Sequence, residues 1–292
     1  MAVLCGVDYA VQGDIPELKR LWRLCFPEDT PEGIGSFFHE VFRPEDCLVY
    51  REEARPVSMA FLLPARLHTP EGLFPIHYLY AAATRPDRQG LGLFSKILQE
   101  SFRVGRERGA EASCLLPAEE GLIAYYSRFG YRPFFRTLVI QRRRSGVGKG
   151  LAYSDDTEEY CRCRARCLSS REWWVEWPLS LLSFAVQGAV KNGGGLWFAQ
   201  GAVALCETGE QDGGRLLFVR ELLCPPERRE EVIQMLLASH KAAGEKEEVC
   251  LRLPPSPGEE RGEAFGMLRP LTPRAEAWLH QDAAPYLGLA FD

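Results

Sequence analysis

TRPDRQGLGLFSKILQESFRVGRERG, residues 84–109, is the stretch on which the reading of this chain turns. The apolar run FPIHYLYAAAT (74–84) leads into it as a strand. Pro86 and a short polar turn with Gly90 and Gly92 follow. Then comes a long amphipathic helix with Leu93, Ile97, Leu98 and Phe102 on its apolar face. A strand thus delivers the chain to a helix N-terminus, where several N–H groups have no intrahelical partner. Glycine at 90 and 92 removes side chains that would hold an anion away from those amides. The helix dipole adds about 0.3–1 kcal/mol for a negative group. Such a turn suits a pyrophosphate, and Arg88 beside it can pair with phosphate oxygens.

Two other phosphate-binding patterns fail here. The dinucleotide fingerprint G-x-G-x-x-G needs glycine at position 95, which is Ser95. A Walker loop needs G-x-x-x-x-G-K-[ST]; Gly148-Lys149 is followed by Gly150 and has Arg143 at the place of the first glycine.

Toward the N-terminus, Asp14 is placed to cap a helix with Pro16, Leu18, Leu21, Trp22 and Cys25, stopped by Pro27. A second helix is expected around Ile34–Phe42. CLVYREE and VSMAFLLPARLHT flank an Ala54-Arg55-Pro56 turn and predict two antiparallel strands. Toward the C-terminus, ASCLLP (112–117) predicts a strand and EEGLIAYYSRFG (119–130) a helix ended by Gly130. YRPFFRTLVIQRRR adds two short strand-like stretches.

Over residues 10–143 this order resembles the GNAT superfamily of N-acetyltransferases. The resemblance rests on Asp87-Arg88-Gln89-Gly90-Leu91-Gly92, against the pattern [QR]-x-x-G-x-[GA], and on Tyr126-Ser127-Arg128-Phe129-Gly130-Tyr131 further on. Asp87 stands where the pattern has Arg or Gln, so Arg85 and Arg88 both remain candidates for the phosphate contact. The resemblance implies acetyl-CoA as acyl donor. Ala82, Ala83 and Thr84 would pair with its pantetheine, and Arg88, Gln89, Gly90, Leu91, Gly92 and Leu93 would hold its pyrophosphate. It implies that Tyr126 protonates the departing thiolate, and positioned acid catalysis typically contributes 10²–10⁴-fold.

Residues 144–152, RSGVGKGLA, have the composition of a linker. Beyond them TEEYCRCRARCL and REWWVEWPLSLLSFAVQGAV are expected to be helical, and GGLWFAQ, GAVALCE and RLLFVRELLC to be strands. The second half repeats the first. Pro86, Pro117 and Gly130 stand 31 and 13 residues apart, and Pro226, Pro254 and Gly266 stand 28 and 12 apart. AFGMLRPL echoes RFGYRPFF. Setting Pro226 on Pro86 places Glu230 and Val232 at the positions of Gly90 and Gly92, and Gly262 at that of Tyr126. The expected fold is therefore α/β, with two tandem GNAT-like units, each a mixed, mainly antiparallel sheet flanked by helices. Residues 1–146 would form the catalytic domain with the acetyl-CoA site. Residues 147–292 would form a degenerate copy without one.

This arrangement resembles the enhanced-intracellular-survival type of acetyltransferases, without room for their sterol-carrier-like domain, and more loosely mycothiol synthase. In that type the terminal carboxylate acts as general base, which here implies Asp292 at the end of the apolar YLGLAFD. His77, on the strand leading to the turn, is a second candidate base.

Composition excludes other classes. With 46% hydrophobic residues the chain can bury a sizeable core, and a net charge of −5 argues against nucleic acid. The N-terminus has no basic, apolar leader pattern, and 178–190 is too short to span a bilayer. A cytoplasmic protein acting away from membranes is expected. Ten cysteines are scattered, and Cys161, Cys163 and Cys167 lack the paired spacing and histidine of a zinc site, so no metal is expected. The activity expected is transfer of an acetyl group to a primary amine of a small molecule or peptide, by direct attack. A homo-oligomer is compatible with the sequence. The alternative is a non-catalytic acyl-CoA-binding regulator, for which Tyr126 would serve no purpose.

Overall fold

The computed structural model describes residues 5–143, 150–211, 214–239, 248–255 and 262–291. In chain order its strands are β1 Cys5–Tyr9, β2 Cys47–Glu52, β3 Arg55–Thr69, β4 Gly72–Thr84, β5 Ala112–Leu115, β6 Arg132–Pro133, β7 Arg136–Arg143 and β8 Ala152–Ser154. There follow β9 Trp174–Glu176, β10 Gly195–Ala199, β11 Ala202–Gln211, β12 Gly214–Leu223, β13 Glu248–Leu253, β14 Glu263–Ala264 and β15 Met267–Pro270. The helices are α1 Ile15–Cys25, α2 Pro31–Glu40, α3 Leu93–Glu107, α4 Gly121–Ser127, α5 Thr157–Leu168, α6 Leu179–Lys191, α7 Arg229–Ser239 and α8 Pro273–Trp278. Among the described residues no helix is long and apolar enough to cross a membrane.

Two compact units form, and their boundaries do not follow a single cut after residue 146. Unit 1 is Met1–Leu67, Leu73–Arg132 and Met267–Gln281; unit 2 is His68–Gly72, Pro133–Gly266 and Asp282–Asp292. The reason is strand pairing. β15, far along the chain, pairs antiparallel with β5 through Met267↔Leu115 to Pro270↔Ala112. β7, which follows the first half, pairs antiparallel with β13 from Leu138↔Leu253 to Arg143↔Glu248. A strand edge left bare exposes its unpaired N–H and C=O groups, and these pairings cover two such edges.

In unit 1 the strand order is β1-β2-β3-β4-β5-β15-β6. Side chains alternate across the sheet. On one face Leu48, Leu62, Leu79 and Leu115 pack against Leu93, Ile97, Leu98 and Phe102 of α3 and Tyr126 of α4. On the other, Trp22 of α1 meets Phe37 of α2 at 4.9 Å, Phe61 of β3 at 5.7 Å and Tyr80 of β4 at 5.6 Å. Asp14 stands at the start of α1, but its carboxylate makes no capping bond. It accepts from Arg51 on β2 at 2.7 and 2.9 Å and from the Val11 N–H at 2.8 Å, so a buried ion pair takes the place of the expected cap.

In unit 2 the order is β14-β7-β13-β12-β11-β10-β8. β12 and β13 run parallel through Leu216↔Glu248 to Val219↔Leu251. Val232, Ile233, Leu236 and Leu237 of α7 bury against Val219, Leu222, Val249 and Leu251. Opposite them, buried Glu221 accepts from Tyr160 at 2.5 Å and from Arg164 at 3.1 Å. Residues 171–190, expected as one helix, instead give β9 and then α6, with Pro178 capping α6 in extended conformation. Proline cannot continue a preceding helix, and Trp174 bridges to Tyr286 as a strand would. The C-terminal segment is held along this path. Val175 N–H donates to Tyr286 O at 2.9 Å, and Trp177 Nε1 to Leu287 O at 3.1 Å. Phe291 packs edge-on against Trp177 at 5.2 Å.

Candidate active site

The site begins where two parallel strands of unit 1 part. β4 and β5 pair only through Ile76↔Ala112, His77↔Ser113 and Tyr78↔Cys114, while β4 continues to Thr84. Past Tyr78 the β5-facing edge of β4 is no longer paired with β5. Ala81 lies in this stretch with φ of 45°, a conformation that L residues avoid and that costs about 1–3 kcal/mol. Such backbone irregularity clusters at functional sites. Ala81 is the residue that sequence reasoning missed, since nothing in an Ala-Ala-Ala run marks one of them as left-handed. On the other edge Ala83 and Thr84 are tied down. Ser58 Oγ donates to Ala83 O at 2.9 Å and lies 2.8 Å from Thr84 Oγ1, and Arg85 N–H donates to Val57 O at 2.9 Å. Ala82 is half-buried against the α3–α4 core.

The turn after β4 has the conformation an anion site needs. Pro86–Arg88 make one 3-10 turn, Gln89 is extended, and Gly90 and Gly92 take φ of 78° and 72°. Gly92 is the residue that caps α3, whose first helical residue is Leu93. A Cβ built on either glycine would meet nothing within 4 Å. Both glycines are thus required by φ rather than by crowding, and the space in front of them is free. Among the described residues the N–H groups of Gly90, Leu91 and Gly92 have no hydrogen-bond partner. Together with the first turn of α3 they form a run of open donors, which fits a pyrophosphate. Leu91 is 61% exposed at the tip of the turn.

The arginines are less free than the sequence implied. Arg88 Nε donates to Glu52 at 2.8 Å and its Nη1 to Asp87 at 3.1 Å, while Arg85 donates to Asp87 at 2.6 and 3.1 Å. Gln89 Nε2 turns back to Thr84 O at 3.2 Å.

On α4 the neighbouring tyrosines separate. Tyr126 is buried, with Tyr131 at 5.7 Å and Phe94 at 6.3 Å. Its hydroxyl has no hydrogen-bond partner among the described residues. Burial, and then Tyr125 beside it, push its pKa above the ordinary phenol value, so it holds its proton. Tyr125 is half-buried and shares a hydrogen bond with Ser95 on the first turn of α3, at 3.2 Å.

His77 lies 6% exposed between β4 and α3. A Cβ on Gly105 would fall 2.7 Å from its Cε1, so the helix presses directly on the ring. Burial, and then the charge of Arg108, push its pKa down to about 3. An imidazole that cannot gain a proton near neutrality is unsuited to the base role expected of it. Asp292 lies outside the described residues. Among the described residues no three His, Cys, Asp or Glu side chains are grouped to hold a metal. Cys163 and Cys167 lie 4.0 Å apart on α5, and none of the ten cysteines is in a disulfide.

The matching place in unit 2 is built differently. α7 begins at Arg229, directly after the 3-10 turn Pro226–Arg228, with no glycine turn between them. Val232 is fully buried in the unit 2 core, and Glu230 is exposed near Arg142 at 3.9 Å.

A parted parallel strand pair, a glycine turn at a helix N-terminus and a following helix bearing a buried tyrosine define the GNAT acetyltransferase fold. Residues 7–134 match the family model of the acetyltransferase (GNAT) domain. No curated protein matches the sequence. Solved structures share the fold at low identity. A GCN5-related N-acetyltransferase from Anabaena variabilis superposes with a TM-score of 0.71 at 14% identity, covering 91% of this chain and 72% of that one. Eis1 from Mycobacterium abscessus gives 0.67 at 12%, covering 92% and 74%. A putative acetyltransferase from Pyrococcus horikoshii gives 0.55 at 12%, covering 97% and 93%.

Proposed function

We propose that this protein is an acetyl-CoA-dependent N-acetyltransferase that acylates a primary amine of a small molecule or peptide, with one working site, in unit 1. The observation that carries this reading is the run of open N–H donors at Gly90–Gly92, set at the end of β4 where it has left β5. Acetyl-CoA, when bound, supplies the activated acyl group. Ala82, Ala83 and Thr84 offer backbone groups along that stretch of β4, and Arg88 through Leu93 hold the pyrophosphate. The open donors hold and orient the cofactor, and positioning of this kind lowers the barrier by fixing the reacting groups in place.

Tyr126 is the general acid. Its burial makes it a weaker acid than free tyrosine, so it donates as negative charge builds on the leaving sulfur rather than before. A base must take the amine proton, and the Asp292 carboxylate is the candidate. Unit 2 is read as a degenerate copy, because a helix starting at Arg229 with Val232 in the core leaves no anion turn.

The test is a screen of amines by free-thiol release from acetyl-CoA, paired with calorimetry. Turnover with at least one amine and a stoichiometry near one are expected, with Gly90→Glu abolishing binding. Two equivalent sites, or binding untouched by Gly90→Glu, would overturn the reading. For the base, adding residues after Asp292 is cleaner than deleting the end, because deletion also removes the packed Phe291. Full activity in the extended protein would rule the carboxylate out.

A further inference from the structure

Away from the glycine turn, Gln99, Phe102 and Arg106 on α3, Arg128 and Phe129 after α4, and Arg269 on β15 line a groove of about 490 Å³ within unit 1. Several guanidinium groups elsewhere in this unit are met by carboxylates: Arg51 by Asp14, Arg103 by Glu100 and Glu107, Arg108 by Asp46, Arg274 by Glu111. Arg106, Arg128 and Arg269 form no ion pair among the described residues. Arg269 lies flat on Phe102, its Cζ 3.6 Å from the ring centroid, and its stem crosses Gly130, where an added Cβ would meet Nε at 3.7 Å. Gly130 takes φ of 84° after α4, so it is its backbone conformation, and not crowding by this guanidinium, that calls for glycine there. Arg128 stands over the Tyr125 ring at 4.9 Å. Burial, and then the charge of Arg106, hold the Arg269 pKa below its ordinary value, which places two cations in mutual repulsion.

We propose that this groove binds the phosphate of a small phosphomonoester with a flat organic body, at a site separate from the acetyl-CoA turn. Guanidinium forks match phosphate oxygens in pairs, and three of them converge here without competing carboxylates. Phe129 gives a wall an apolar body can lie against. The separation follows from the helix. At about 1.5 Å rise per residue, Gln99 lies about 10 Å and Arg106 about 21 Å along the axis from Gly92. The 3′-phosphate of CoA offers the same chemistry from another source, so the test must tell the two apart.

Phenyl phosphate is titrated by calorimetry into the full chain, alone and saturated with acetyl-CoA. The expected result is one saturable site in both, with inorganic phosphate binding there more weakly. Arg269→Gln should weaken phenyl phosphate at least tenfold, and the exposed pair Arg106→Gln/Arg128→Gln by a similar factor. Arg103→Gln, on the same helix but already paired, should change nothing. Retained acetyl-CoA affinity and melting temperature show that each variant is folded; if Arg269→Gln fails this check, the exposed pair decides. Competition between phenyl phosphate and acetyl-CoA would assign the groove to the CoA phosphate and overturn a separate site. No saturable binding, or equal loss in Arg103→Gln, would overturn it too, as would binding of polyglutamate in place of phenyl phosphate.

Discussion

Arg88 sets its Nε 2.8 Å from the Glu52 carboxylate and its Nη1 3.1 Å from Asp87, so the cation nearest the glycine turn is held by two acids of its own chain. A phosphate must compete with them. Glu52→Gln is therefore expected to tighten acetyl-CoA binding by roughly 2–5-fold, the small gain typical of an exposed pair. Arg88→Gln should weaken it by about tenfold and flatten its salt dependence. Calorimetry at two salt concentrations measures both. Unchanged affinity in both variants would mean that backbone amides alone carry the pyrophosphate.

Tyr126→Phe should retain acetyl-CoA affinity while kcat falls by about 10²-fold or more, because the hydroxyl is assigned to the leaving sulfur and not to holding the ligand. Tyr125→Phe removes the bond to Ser95 and should act mainly on affinity, since Ser95 belongs to the first turn of α3. Steady-state kinetics of both variants decide it. A larger kcat loss in Tyr125→Phe would move the acid to that residue.

His77 makes stability acid-sensitive with a definite sign. Its folded pKa of about 3 lies below the unfolded value of 6.5, so between these pH values the unfolded chain binds more protons. Its neutral, buried state is fully compatible with folding above pH about 6.5, and stability is lost as the pH falls, at up to about 1.4 kcal/mol per unit. Denaturant melts from pH 7 to 4 should show this slope in the natural protein and a shallower one in His77→Leu. Equal slopes would mean that the ring is protonated in the fold.

Asp14 and Arg51 act with the same sign, but at lower pH. Burial alone would raise the Asp14 carboxyl, but the Arg51 hydrogen bond and the Val11 N–H outweigh it and hold the pKa below the usual value. This stability is present above pH about 3.9 and lost as pH falls through the folded pKa. Asp14→Asn leaves Arg51, 4% exposed, without its partner and should cost about 3–5 kcal/mol at pH 7. The gap to the natural protein should narrow toward pH 2; a constant gap would assign the loss to packing.

What the sequence by itself determined was local. Glycines at 90 and 92 specify a left-handed turn because no other residue takes φ near 75° without strain, and apolar spacing from Leu93 to Phe102 specifies the face α3 buries. Gly130 takes φ of 84° shortly after α4, as expected of a glycine that follows a helix. These signals sit within a few residues of what they control. Only tertiary structure decided the rest. Arg51 claimed the Asp14 carboxylate from 37 residues away, Glu52 claimed Arg88 from 36, and Met267–Pro270 lay down beside β5 instead of ending the second copy. Local periodicity specifies that a strand exists and which face it buries, but not which edge it will pair with. That choice, like the φ of Ala81 and the burial of His77 under Gly105, depends on what the rest of the chain brings within hydrogen-bond distance.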